Sequence, residues 1–274
     1  MILNRLEYKY LVPNEELNDI RSEIRPFIRI DEYALNRDPI EYTIRSIYFD
    51  TPAMSCYDEK IDGIKIRNKF RIRGYNELKE NDIIFLEIKR KYNNFISKNR
   101  APLYNHNLQD LFITKNVGKY IICPENNEQN QDDARRFLYH YYAQKLSPTV
   151  LVVYEREAFF GRFNERVRIT FDKNLRSADY AVTNKLFSEH PLKPVFTRHF
   201  ILELKFRGGM PQWARHIIGK FKLPRLAISK YTLCIDSHRK LNNHRKKISP
   251  ISIKYCFALN CKGQDKKCSI ICKT

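Results

Sequence analysis

The chain has 274 residues, of which 50 are Lys or Arg and 31 are Asp or Glu, so its formal net charge is +19. An excess of this size indicates a polyanionic partner. The 43% hydrophobic and 13% aromatic content excludes a disordered basic protein and predicts a globular fold with a sizeable core. Only 8 residues are Gly, and they form neither a G-x-G-x-x-G nor a G-x-x-x-x-G-K-[ST] pattern. Because no glycine-rich phosphate loop is present, bound phosphate must be held by side chains.

No apolar run reaches the roughly 18 to 20 residues that a bilayer-spanning helix needs, and residues 1–5 do not form a signal peptide. The sequence therefore predicts a cytoplasmic protein without a membrane segment. Seven Cys, an odd number, favour reduced thiols over disulfides in that compartment.

The first predicted strand covers residues 5–12, where Arg5, Glu7 and Lys9 alternate with apolar or aromatic residues. A period of two places these three charged side chains on one face. A helix is predicted next, over residues 13–27, because apolar residues recur there at helical spacing after a capping asparagine.

The most informative segment is residues 64–73, in which every odd position from 65 to 73 is basic. The intervening positions are mostly apolar. This pattern predicts a strand with five cations on one face and an apolar opposite face that packs on a core. Adjacent like charges repel each other, so a face of this kind favours a bound anion.

Four later segments repeat the alternation of charged and apolar residues, and these predicted strands cover residues 84–91, 152–158, 166–172 and 201–207. Residues 122–131 form a polar loop, but the strand pattern resumes beyond it, so no domain boundary is placed there. Helices are predicted over residues 132–146 and 211–221, and we expect them outside a barrel or near one of its mouths.

A charged strand face is compatible with an ordinary solvated surface of an antiparallel sheet. These six strands, however, concentrate Arg and Lys where a solvated face would be rich in Thr, Ser and Gln. Three of them also place a carboxylate two residues before a lysine, in the pairs Glu7/Lys9, Glu87/Lys89 and Glu203/Lys205. Carboxylates for a metal beside cations for phosphate favour a closed barrel whose lumen holds a metal-bound chain of phosphates.

The end of the chain differs from the rest. Residues 237–274 contain 10 Lys or Arg and one Asp and show no helical or strand period. We therefore divide the chain into a body, residues 1–236, and a basic tail, residues 237–274, that is expected to be poorly ordered. The four tail cysteines have the spacing C-x4-C-x6-C-x3-C, which differs from the C-x2-4-C pairs of zinc sites and favours a tail without bound zinc.

Nine segments of the body carry a family resemblance. They are RLEYKY (5–10), RSIYFDT (45–51), YDEKIDGIKIRNKFRIRGY (57–75), FLEIKRK (85–91), ISKNR (96–100), YEREAF (154–159), VRITFD (167–172), ILELKF (201–206) and ISKYTLCI (228–235). Together and in this order they resemble the VTC domain of the triphosphate tunnel metalloenzymes. The resemblance covers about residues 3–236 and does not extend to the tail.

This resemblance implies an α+β fold, namely a closed antiparallel eight-stranded β-barrel, or triphosphate tunnel, with helices packed outside and near one mouth. It implies polymerisation of inorganic polyphosphate from the γ-phosphate of ATP with Mn²⁺ or Mg²⁺. The implied partners are ATP, inorganic phosphate or pyrophosphate, and polyphosphate.

The resemblance also implies a set of site residues. Those expected to be catalytic are Lys9, Arg71, Arg73, Arg156, Arg168 and Lys230. Those expected to bind phosphate are Arg45, Arg67, Lys69, Lys89, Lys98, Tyr154, Lys205 and Ser229. The expected metal ligands are Glu203, Glu87 and Glu7, each of which could instead pair with or orient neighbouring cations. Asp50 and Asp172 are interpreted as structural.

One motif departs from the wider superfamily. The hydrolase and cyclase relatives carry E-x-E-x-K on the first strand, whereas this chain has Arg5-x-Glu7-x-Lys9. Loss of a carboxylate weakens metal-activated attack by water, which favours the polymerase branch. The alternatives are a tripolyphosphate or nucleoside triphosphate hydrolase on the same fold, a non-catalytic polyphosphate-binding module, and a nucleic-acid binder. Specific nucleic-acid binding is not expected, because the tunnel would be too narrow for a duplex.

Overall fold

The structure, a computed structural model, describes residues 5–92, 95–124, 128–179, 181–189, 191–238, 248–252 and 254–255. Its strands are β1 (Arg5–Pro13), β2 (Ile28–Ile30), β3 (Tyr42–Asp50), β4 (Ile66–Tyr75), β5 (Ile83–Tyr92), β6 (Phe95–Tyr104), β7 (Ser147–Gly161), β8 (Arg168–Asp179), β9 (Lys193–Pro194) and β10 (His199–Arg207). Its α-helices are α1 (Leu17–Ile24), α2 (Ser55–Ile61), α3 (Leu108–Thr114), α4 (Val117–Tyr120), α5 (Gln129–Ala143), α6 (Gln212–Lys220), α7 (Lys230–His238) and α8 (Pro250–Ser252).

The strands form one antiparallel sheet with the order β1-β10-β8-β7-β3-β4-β5-β6, and the short strands β2 and β9 pair with β7 and β8. Although β1 and β5 are far apart in this order, Lys89 Nζ of β5 lies 3.2 Å from Glu7 Oε2 of β1. The sheet therefore curls around an interior, and the predicted antiparallel eight-stranded tunnel is confirmed. Among the described strands, no backbone ladder pairs β1 with β5 or β6, and the ion pair of Glu7 with Lys89 connects β1 to β5.

Apolar outer faces hold helices against the curled sheet on two sides. Helix α5 buries Phe137, which meets Phe49 of β3 and Phe70 of β4 edge-on at centroid distances of 5.9 and 6.3 Å. On the other side, α1 and α6 bury residues such as Ile20 and Ile217 against β1, β8 and β10. Burial of these faces provides the hydrophobic stabilisation that fixes the strands and therefore the direction of their charged faces.

Helix α7 fills part of the interior. Tyr231 of α7 stacks on Tyr48 of β3 at 5.1 Å and packs in one cluster with Val150 and Val152 of β7. Just before this helix, Leu226 N donates a hydrogen bond of 2.9 Å to Lys9 O, so the chain there covers the free edge of β1. A helix therefore occupies one mouth of the tunnel. The sequence analysis predicts a helix near a mouth, but it does not identify α7 as that helix.

All six strands predicted from charge alternation are present, with bounds that differ by a few residues. Of the five basic residues predicted on the face of β4, Lys65 lies outside the strand, because β4 begins at Ile66, and its side chain is exposed. Strands β3 and β6 were not predicted from alternation. In β3 almost every side chain is buried on both faces, so its sequence lacks a charged period.

The predicted boundary at residue 236 falls inside α7, which continues to His238. Ser252 of α8 is buried and its hydroxyl donates a hydrogen bond of 2.6 Å to Asp236 Oδ2, so residues beyond that boundary contact the body. The four tail cysteines lie outside the described residues.

We expect Phe137→Ala to lower the free energy of unfolding by about 3–5 kcal/mol, because it removes a fully buried ring from the contact between α5 and the sheet. Urea denaturation monitored by circular dichroism measures this change. Phe163, which is 82% exposed, provides the matched control, and Phe163→Ala is expected to change stability by less than about 0.5 kcal/mol. Equal effects of the two substitutions would contradict this account of the packing.

Candidate active site

The interior of the sheet holds two adjoining cavities. The inner cavity, of about 100 Å³, is lined by Glu7, Lys9, Tyr48, Lys69, Arg71, Arg73, Lys89, Tyr154, Arg156, Glu203, Lys205, Ser229 and Lys230. The outer cavity, of about 400 Å³, shares Glu7, Lys9, Lys69 and Lys89 with it and adds Arg5, Leu6, Tyr8, Lys60, Arg67, Lys91 and Arg225–Ile228. Twelve site residues expected from the sequence therefore line the inner cavity, and Arg67 lines the outer one.

Strand register explains this convergence. On β4, Lys69, Arg71 and Arg73 share the inward face, while Phe70 and Ile72 face the outer core. Neighbouring strands place inward residues directly opposite: Lys89 opposite Lys69, and Tyr48 opposite Arg71. The period of two in the sequence is therefore the cause of the cationic lining.

Glu203 lines the inner cavity and contacts four of its cations. It accepts hydrogen bonds of 3.0 Å from the ammonium groups of both Lys205 and Lys230. Lys9 lies 3.2 Å and Arg156 3.6 Å from its oxygens. Burial alone would raise the pKa of this carboxyl, but the surrounding cations hold the pKa well below its usual range. Glu203 is therefore a permanent negative charge among four cations.

Asp172, interpreted from sequence as structural, fixes two of these cations. Its carboxylate accepts two hydrogen bonds from Arg156, Nε to Oδ1 at 2.6 Å and a terminal nitrogen to Oδ2 at 2.7 Å. The ammonium of Lys230 also donates to Oδ2. Since Asp172 is fully buried and does not line either cavity, it supports the two cations from behind.

Glu87, on β5, holds a second group of cations in a similar way. Arg71 Nε donates to its Oε2 at 2.7 Å, Lys98 Nζ lies 2.6 Å from Oε1, and Arg100 Nε lies 3.3 Å from Oε1. Burial would raise the pKa of Glu87, but Arg71 and the other cations lower it overall. Glu87 lines neither cavity, so the geometry favours the orienting role over that of a metal ligand.

The carboxylates that do face the cavities are those of Glu7 and Glu203, whose oxygens lie 3.0 and 3.2 Å from the same Lys9 ammonium. Among the described residues, no group of three or more His, Cys, Asp and Glu is placed to hold a metal ion. Mg²⁺ and similar hard cations are commonly held by one or two carboxylates together with substrate phosphates. The donor set therefore fits a divalent cation shared between these two carboxylates and a bound phosphate chain.

Three further site residues expected from the sequence do not line either cavity. Lys98 pairs with Glu87, as described above. Arg45 lies on the outer face of β3, where its Nε donates to Asn76 O at 2.7 Å and its guanidinium pairs with Glu189. Alternation along β3 points it to the same side as Ile47 and Phe49, away from the tunnel.

Arg168 points inward beside Lys205 but pairs with Asp31 at 2.7 Å and with the Tyr42 hydroxyl at 3.3 Å. It lies near one end of the tunnel, outside the lining of both cavities.

Several lining residues were not among the site residues named from the sequence. Tyr48, whose hydroxyl accepts from Arg71 at 2.9 Å, lies within the RSIYFDT motif, which could have identified it. Lys91 and Arg5 continue the alternation of β5 and β1. Lys60 of α2 lies within the motif of residues 57–75 but outside its strand period, so alternation does not identify it. Arg225, in the segment before α7, lies outside every motif quoted from the sequence.

Comparison with known proteins is consistent with this architecture. The sequence profile of the VTC domain matches residues 4–239. No curated protein matches significantly.

Solved structures similar to this chain include the PH1819 protein of Pyrococcus horikoshii, with 13% identity over 85% of this chain and 99% of that one and a TM-score of 0.43. The Hippeastrum protein HpAC1, described as having a dominant triphosphatase activity, has 11% identity over 88% and 100% of the two chains and a TM-score of 0.44. The Mimivirus capping enzyme triphosphatase has 12% identity over 79% and 89% and a TM-score of 0.33.

The described part of the chain contains no helix with the length and apolarity needed to cross a membrane.

We expect Asp172→Asn to lower the free energy of unfolding by about 3–5 kcal/mol, because it leaves the buried charges of Arg156 and Lys230 without a carboxylate. The matched control is Asp132→Asn, which breaks an exposed ion pair with Arg135 on α5 and should cost less than about 1 kcal/mol. Urea denaturation of the three proteins tests the difference. A cost for Asp172→Asn no larger than for the control would show that the buried carboxylate does not stabilise these cations.

Proposed function

Because the chain belongs to the VTC domain family, we propose that it is a metal-dependent polyphosphate polymerase, which transfers the γ-phosphate of ATP onto phosphate, pyrophosphate or a growing polyphosphate chain. The observation that supports this proposal most directly is the set of side chains that line the inner cavity. There Arg71, Arg73, Arg156 and Lys230 converge on a space that also exposes two carboxylates.

Phosphoryl transfer suits such a lining. The transition state spreads negative charge over the transferred oxygens, so positioning and charge neutralisation contribute most of the catalysis, and no covalent nucleophile is needed. Arg71 is held by Glu87 and Tyr48, while Arg156 and Lys230 are held by Asp172. Cations fixed in this way need little reorganisation when charge develops, because their direction is set before substrate binds.

The aromatic ring of Tyr154 lies next to two of these cations. Its ring lies 5.3 Å from the Arg156 guanidinium carbon and 4.6 Å from the Lys230 ammonium. The ring faces stabilise the cations without neutralising them, so both remain available to phosphate oxygens. Ser229, the residue before Lys230, adds a hydroxyl group to the lining of the inner cavity.

Glu7 and Glu203 are the residues that would hold a divalent cation together with the substrate phosphates. Such an ion, Mn²⁺ or Mg²⁺, would supply further charge neutralisation on the phosphate oxygens. The chain's own contribution is to place these two carboxylates on β1 and β10, with Arg156 3.6 Å from Glu203 and with Arg71 and Arg73 on β4 lining the same cavity.

The continuity of the two cavities favours a linear product. Four residues line both spaces, so a phosphate chain whose reactive end lies in the inner cavity can extend into the larger outer one. A hydrolase on the same scaffold would use the same cations and differ only in taking water as the acceptor. A non-catalytic polyphosphate-binding module would need the cations but not Glu203.

Incubation of the purified protein with ATP and Mn²⁺ or Mg²⁺, followed by gel electrophoresis, tests the proposal. We expect a polyphosphate ladder, and we expect Arg71→Ala or Glu203→Ala to reduce its formation by about 100-fold, the usual effect of removing one charge-stabilising group. Arg135→Ala, which removes an exposed cation on α5, is the control and should leave the rate unchanged.

Phosphate release equal to ATP consumption, without a ladder, would replace the polymerase with a hydrolase. Tripolyphosphate binding without any ATP turnover would favour the non-catalytic module. Thermal melting of each variant separates lost activity from lost folding.

A further inference from the structure

Helix α7 and the residue before it carry groups that line the inner cavity. Lys230 is the first residue of the helix, and its ammonium lies 3.0 Å from Glu203 Oε1. The preceding Ser229 accepts a hydrogen bond of 2.7 Å from Lys69 in the same cavity, and its hydroxyl oxygen also accepts one of 3.4 Å from Thr232 N. A displacement of α7 would therefore move both an ammonium and a hydroxyl of the site.

The start of α7 is fixed by a buried carboxylate that lines neither cavity. Asp50, at the end of β3, is fully buried, and its Oδ2 accepts hydrogen bonds from the Tyr231 hydroxyl and, at 2.9 Å, from Tyr57 N. Its Oδ1 accepts a further hydrogen bond of 2.8 Å from Cys56 N. Because Cys56 and Tyr57 lie in the first turn of α2, this carboxylate holds the starts of α2 and α7 together.

A second buried carboxylate fixes the C-terminal half of α7. Asp236 is fully buried, and its Oδ1 accepts a hydrogen bond of 2.6 Å from the hydroxyl of the same Tyr57 that contacts Asp50. Its Oδ2 accepts a hydrogen bond of 2.6 Å from Ser252 of α8. A carboxyl group taken out of water is costly unless hydrogen bonds replace the lost solvent. Each of these donors therefore stabilises the observed position of α7.

Ser252 lies outside the part of the chain that the family profile covers. The VTC profile matches residues 4–239, and α8 follows them. Ser252 is fully buried, while Ile251 and Tyr255 pack against the apolar cluster that contains much of α7. The Tyr255 ring also meets His199 of β10 edge-on at a centroid distance of 5.0 Å. The described residues of this segment are thus packed on the body beside α7.

We propose that Ser252 is a positioning residue of the active site. Through Asp236 it fixes α7, and thereby the placement of Lys230 and Ser229 in the inner cavity. The expected effect of Ser252 on turnover rests on the proposed function, whereas its effect on α7 does not.

The burial of α7 explains why a single hydroxyl has this effect. Every residue from Lys230 to Asp236 is buried. Water therefore cannot replace a lost hydrogen bond at Asp236 unless the helix or the α8 segment moves. Lys230 lies about 9 Å from Asp236 along the axis of the same helix, so a movement at one residue reaches the other. The contacts that such a movement would disturb are the ion pairs of Lys230 with Asp172 and Glu203.

Hydrogen exchange of the whole chain, measured by mass spectrometry, tests the contact apart from any activity. We expect Ser252→Ala to accelerate amide exchange in residues 230–236 about tenfold, because loss of a hydrogen bond to a buried carboxyl group makes local opening easier. Tyr57→Phe removes the hydroxyl that contacts the other oxygen of Asp236 and should have the same effect. Ser22→Ala, which removes an exposed hydroxyl from α1, is the matched control and should leave this exchange unchanged.

Steady-state kinetics with ATP and Mn²⁺ tests the consequence for the site. We expect Ser252→Ala to lower kcat about tenfold and to change KM for ATP by less than about twofold, because the other lining cations still bind ATP while a displaced Lys230 stabilises the transition state less. A loss of stability alone would lower the melting temperature without changing kcat of the folded protein. Ser22→Ala should retain both constants.

The outcomes separate the positioning role from the proposed function. Unchanged exchange in α7 of Ser252→Ala would overturn the positioning role, whether or not a polyphosphate ladder forms. Faster exchange with an unchanged kcat would overturn the connection to the site. If the unaltered protein turns over no ATP, the polymerase is rejected and tripolyphosphate affinity replaces kcat as the measurement. Faster exchange with weaker tripolyphosphate binding by Ser252→Ala would then support the positioning role, and an unchanged affinity would overturn it.

Discussion

The structure depends on a small number of buried carboxylates that hold many cations inside a protein. Glu203, Asp172 and Glu87 each contact at least two Lys or Arg side chains from different strands or helices. Ions taken out of water are costly unless they are paired and hydrogen-bonded. These three residues therefore make a dense cationic lining compatible with folding, and they also fix the direction in which each cation points.

The apolar outer faces of the same strands supply the stability that this arrangement requires. Phe70 and Ile72 of β4 pack under α5, while Arg71 and Arg73 between them point inward. Net stability in proteins is a small difference between large terms, so repulsion inside the tunnel is tolerated only because packing outside it is extensive. Because charged and apolar residues alternate along the strand, one segment lines the tunnel with one face and packs on the core with the other.

Alternation also explains how much could be predicted from sequence. It identified the six charged strands and, with the family resemblance, most residues that line the inner cavity. The resemblance named Arg45 but not Tyr48 from one segment of β3, where charges do not alternate, and only Tyr48 points inward. Alternation could not find Lys60 or Arg225, because a helix and a connecting segment bring them to the cavity through tertiary packing.

The fraction of cations that form ion pairs with carboxylates differs between the inner and outer cavities of the tunnel. The inner end has carboxylates within reach of nearly every cation, and these ion pairs hold the cations in fixed positions. The outer end shares Glu7 with the inner one and adds Lys60, Arg67 and Lys91, which form no ion pair with a carboxylate among the described residues. Under the proposed function, the reactive end of a phosphate chain would lie among the paired cations and its remote part among the others. A uniformly paired lining would resist initial binding, and a uniformly unpaired one would lack the fixed geometry that phosphoryl transfer needs.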